Sequence, residues 1–127
     1  MPVRLRPADP SLVEPALERH RAGTASPEDL RLLVKHFLAL LVERAPGGAV
    51  EVRVPPYAVA QCLAGTRHTR GTPPAVVELD AGTWIDVATG VLTWSEAVAA
   101  ARVTASGERS DLGPVLPLLG RRNPDDT

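Results

Sequence analysis

Hydrophobic and polar residues change rhythm at Gly47-Gly48, and that change separates a helix from the strands that follow it. Upstream, Leu30, Leu33, Val34, Phe37, Leu38 and Leu41 recur at i, i+3, i+4 and i+7. At ~100° per residue, and with Leu40 added, they form an apolar arc of roughly 160°, broad enough to demand a sheet or second helix as cover. Ser26 is placed to cap this helix, Pro27 suits its first position, and Glu28 and Asp29 complement its positive end. The predicted helix covers 27–45 and stops at Ala45-Pro46-Gly47-Gly48. Downstream, Val50, Val52 and Val54 alternate with Glu51 and Arg53, as a half-buried strand does, until Pro55-Pro56. Residues 57–63 read as a second strand with Ala58, Ala60 and Cys62 on one face and Tyr57, Val59 and Leu63 on the other.

The remaining elements are shorter. Residues 65–74 form a loop and 75–79 a third strand. Asp80 caps a short helix through Trp84, Ile85, Val87 and Ala88 that Gly90 closes. Thr93 and Glu96 make a capping box for a helix over 94–101, and alternation returns over 102–106. Leu112, Val115, Leu116 and Leu119 have helical spacing interrupted by Pro114 and Pro117, so a final apolar helix is expected there. At the other end, residues 12, 13, 16 and 17 outline a short helix over 12–20 within a loose leader, 1–25. The order predicts an α+β fold, with helices on one face of a single mixed or antiparallel sheet. The main domain is expected at 26–119 and a flexible polar tail at 120–127.

Composition narrows the function classes. A length of 127 residues suits one domain, and 44% hydrophobic with 23% charged residues is an ordinary globular mixture. A formal charge of −1 argues against a dedicated nucleic-acid binder. No apolar run approaches the ~20 residues of a membrane span, and residues 1–7 do not lead into a secretory core. Cys62 is the single cysteine, which excludes an intrachain disulfide and suits a reducing cytosol. The expectation is a small soluble cytoplasmic protein. Aromatic residues are 3%, so the core must be built from Leu, Val and Ala around few rings.

The second half resembles the sterol carrier protein domain. The resemblance is carried by Ala75-Val-Val-Glu-Leu-Asp80, Thr83-Trp84, Gly90-Val-Leu-Thr-Trp94, Ala97, Val103-Thr-Ala-Ser-Gly107 and Asp111-Leu112, in that order. Gly65-Thr-Arg-His-Thr-Arg-Gly-Thr-Pro-Pro74 is similar to the loop of small stand-alone bacterial members. The resemblance implies a sheet of about five strands and an apolar tunnel for lipids or acyl chains. The pattern yields four strands, so one strand must be short or hidden within 61–72. No Ser-Lys-Leu ending is present, so peroxisomal targeting does not carry over.

Catalysis finds little support in the residues. His20, His36 and His68 form no i, i+3 or i, i+4 pair, and no cofactor or metal is implied. Cys62 falls in a buried strand, where a thiol is ordinarily a packing residue. No serine lies in a Gly-x-Ser-x-Gly elbow. The leading expectation is a non-catalytic carrier of a hydrophobic small molecule or lipid. Its ligand would be lined by Trp84, Trp94, Val98, Leu112, Leu116 and Leu119. A Trp on a short amphipathic helix is more often a core anchor, and the C-terminal leucines serve equally to cap the sheet. Arg67, His68 and Arg70, in a stretch without acidic residues, are candidates for an anionic head group; the alternative is a solvated loop. Two further readings are an accessory protein-interaction module, with a protein partner or homodimer, and a small isomerase-like enzyme using His68.

Overall fold

Ser26 Oγ accepts the Asp29 N–H at 3.1 Å while the Asp29 carboxylate accepts the Ser26 N–H at 3.0 Å, closing a capping box. Pro27 occupies the first turn, where its missing N–H costs nothing, and the helix runs Pro27–Arg44. The computed structural model that shows this describes residues 5–65, 74–107 and 110–118. With the helix Pro10–Arg21 as α1, the long helix is α2. Three strands follow, β1 Val50–Val54, β2 Ala58–Cys62 and β3 Ala75–Leu79. Helices α3 Ala81–Thr89 and α4 Trp94–Ala99 precede β4 Val103–Ser106 and a 3₁₀ turn, Gly113–Val115.

Among the described residues the sheet has four strands in the order β2-β1-β3-β4. β1 runs antiparallel to β2 and parallel to β3, and β4 returns antiparallel to β3. Register places Val52 opposite both Ala60 and Val77, so one face of three strands carries the same alternation. On that face Val50, Val52, Val54, Cys62, Val77 and Leu79 are buried, with α2 packed on β2 and α3 packed on α2. The other face carries Glu51, Arg53, Gln61 and Glu78, with Arg53 Nε on Glu51 at 2.6 Å. The α+β class with helices on one face is thus as expected. The count of four falls one short of the sheet the family resemblance implies. Of the stretch 61–72, Gln61 and Cys62 end β2, and residues 66–73 lie outside the described residues.

Two parts of the chain differ from the pattern-based expectation. The final apolar helix is absent among the described residues. Residues 113–115 make one 3₁₀ turn, and Leu116 is already extended at ψ 149°. The physical reason is proline placement: Pro114 is tolerated in the first turn, but Pro117 has no N–H to continue the ladder. The second difference is α1, which begins at Pro10, capped by Asp9, and docks on α2 through Val13, Ala16 and Leu17. Arg19 grips Asp29 with two 2.8 Å hydrogen bonds, and His20 Nε2 lies 2.9 Å from Asp86 Oδ1. The Arg19 fork holds the Asp29 carboxyl well below the usual carboxylate range.

Candidate functional site

Gly90 builds one end of the site. Asp80 opens α3 by accepting the Thr83 N–H at 2.7 Å, and Gly90 closes it in the left-handed region at φ 85°. A Cβ at Gly90 would lie 3.4 Å from the Pro117 ring, so a side chain would crowd the C-terminal segment as it crosses the helix end. Three residues later the Thr93–Glu96 capping box starts α4 and fixes the backbone of Trp94.

The C-terminal segment supplies the opposite wall, and Arg44 holds it. From the end of α2 the guanidinium donates to the carbonyls of Val115 (3.3 Å), Pro117 (2.8 Å) and Leu118 (3.3 Å). The Leu118 N–H donates to Ala88 at 2.7 Å, tying the segment to α3 as well. Between these walls lies a cleft of about 400 Å³, within the size range of small-molecule sites. Val87, Leu92, Trp94, Leu116 and Pro117 give it an apolar lining, and Thr89, Thr93 and Ser95 add hydroxyls. A second cleft of about 460 Å³ shares Trp94 and Ser95 and continues past Val98, Ala105 and Asp111. Trp94 stands at the boundary of both.

The residues singled out from sequence therefore divide. Trp94 and Leu116 line the first cleft, and Trp94 and Val98 the second. Trp84 is fully buried and donates its indole N–H to the Val34 carbonyl at 3.3 Å, the position of a core anchor. Leu112 is fully buried and lines neither cleft. Leu119, Arg67, His68 and Arg70 lie outside the described residues. Pattern reading missed Thr89, Gly90, Leu92, Gly113 and Pro117 as lining residues. The signal for part of them was the run Gly90-Val-Leu-Thr-Trp94, which has too little periodicity for a helix and too much apolar content for a plain turn.

Other features of the structure lead away from these clefts. A third cleft of about 900 Å³ lies between Leu5–Pro7, the end of α2 and the β2 edge, with Arg6, Glu43 and Glu51 on its walls. Burial pushes the Cys62 thiol up to about 11, so it stays protonated at neutral pH. Among the described residues no group of three or more His, Cys, Asp or Glu is placed to hold a metal, and no helix is long and apolar enough to cross a membrane.

Helices on one face of a mixed sheet, with clefts where α3, α4 and the C-terminal segment meet, define a small α+β domain. Residues 26–118 match the family model described as "Bacterial SCP ortholog". The chain belongs to this family of sterol carrier protein domains. No curated protein matches it.

Proposed function

We propose that the chain binds a hydrophobic ligand without transforming it, and that the ligand lies in the cleft between α3, α4 and residues 113–117. The observation that carries this reading is the cleft itself, lined by Trp94 and Leu116 and, among the described residues, by no ionisable side chain. Family membership supports it, because these domains are carriers in type. The interior beneath the sheet favours a site at the end of the helices over a tunnel through the centre: Phe37, Leu38, Val52, Val77 and Trp84 leave the core solid, each fully buried. A buried methylene contributes ~0.8 kcal/mol, so on the order of ten of them suffice for a micromolar Kd.

A fluorescent fatty-acyl probe tests the reading. Saturable micromolar binding is expected, weakened at least tenfold by Trp94→Ala and by Leu116→Asp in variants that keep the native circular dichroism spectrum. Absence of binding to the folded wild-type chain, together with capture of one defined protein partner, would replace the carrier with an interaction module.

A further inference from the structure

We infer that the cleft selects an uncharged head group, a hydroxyl or carbonyl oxygen, and that the Trp94 indole N–H is the donor that holds it. This rests on the reading of the cleft as a ligand site. The two tryptophans supply the first observation. Trp84 Nε1 already donates to Val34, whereas Trp94 Nε1 donates to no acceptor among the described residues. Nor is Trp94 Nε1 sealed from solvent: among the described residues the fully buried side-chain polar atom without a partner is Thr83 Oγ1. Indole N–H groups in largely buried positions usually find an acceptor, so a donor left open beside a cleft is one that a ligand can satisfy.

Gly113 packs against the pyrrole side of the Trp94 ring. A Cβ built there would lie 3.6 Å from Trp94 Cδ1, the carbon bonded to Nε1, and Gly113 lines the same 400 Å³ cleft. The pyrrole edge of the indole is therefore beside the cleft wall. Asp111 is the ionisable group at this point, with Oδ1 2.9 Å from the same Cβ position and accepting the Gly113 N–H at 2.8 Å. Arg44, whose positive charge lies on the same segment, is turned onto the carbonyls of Val115, Pro117 and Leu118. A carboxylate or phosphate entering the cleft would lose water, meet no lining cation among the described residues and approach Asp111. A neutral oxygen gives up far less hydration and receives the indole N–H.

The test compares 1-decanol, decanoate and decylammonium at pH 8 with the full chain, reading affinity together with the two indole N–H resonances. Decanol is expected to bind at least tenfold more tightly than decanoate. It should move the Trp94 resonance downfield while Trp84, already hydrogen-bonded, stays in place. Trp94→Phe should weaken decanol by about three- to tenfold beyond its effect on decane, which has no acceptor. Decanoate binding as tightly as decanol, or decanol binding with an unmoved Trp94 resonance, would overturn the neutral-head assignment and leave the ligand site standing. Tightest binding by decylammonium would overturn it in favour of Asp111 as the recognising group. If none of the probes binds, the ligand site falls and the assignment falls with it.

Discussion

Nδ1 of His36 accepts the Ala8 N–H at 2.9 Å, which assigns the ring proton to Nε2 and uses a neutral imidazole to hold the segment ahead of α1. Burial lowers the His36 pKa from its ordinary 6.5, partly opposed by the charge of Glu43. The unfolded chain then takes up the proton first. This contribution to stability is complete above about pH 6.5 and declines as the pH falls from there toward the lower folded value. Urea unfolding between pH 7.5 and 5 should show the decline, and His36→Asn, which keeps an acceptor near the Nδ1 position but cannot titrate, should flatten it. An unchanged slope in that variant would assign the pH dependence to other groups. His36 was legible in sequence only as a residue at the margin of an apolar arc. The backbone N–H it serves lies 28 residues away and carries no side-chain signature. The same holds for Arg44: its three acceptors are main-chain carbonyls more than 70 positions on. Cys62, by contrast, was legible as a buried strand residue sharing a face with Ala58 and Ala60, although both faces read as largely apolar and it is the structure that makes this one the inner face.

Among the elements, strands and capped helices were legible in sequence and termini less so. β1 and β3 fall on the expected residues, and the Ser26, Asp80 and Thr93 caps all form, because each depends on a few adjacent residues. The C-terminal stretch was misread as a helix because leucine spacing persists there while Pro117 removes the backbone donor. The short helix before residue 26 illustrates the opposite error of weight. Its periodicity is brief, and it precedes the matched family range, yet α1 puts Leu17 into the core at 1% exposure. Leu17→Ala should therefore cost about 2–4 kcal/mol in chemical denaturation. Leu12→Ala on the outer side, where Leu12 is 55% exposed, should cost under about 0.5 kcal/mol. Equal and small effects would mean that α1 adds little to the fold.

At the scale of the whole molecule, the sheet has one covered and one open face, and the proposed ligand site lies at the end of the helical layer. Low aromatic content did not leave the core loose. Leu, Val and Ala from three strands and α2 close around Trp84 and Phe37, and clefts open at the margins, one of them where α3, α4 and residues 113–117 meet. That junction could be anticipated only in outline, since Trp94 and Leu116 are far apart in sequence and their meeting depends on Gly90 and Arg44. The most direct test is a methyl and indole chemical-shift map of the full chain titrated with a medium-chain apolar ligand. Saturable shifts should gather on Val87, Leu92, Leu116 and Trp94 and leave Val52 and Val77, beneath the sheet's helical cover, in place. Shifts centred on Val52 and Val77, or no saturable shift at the cleft, would contradict the account.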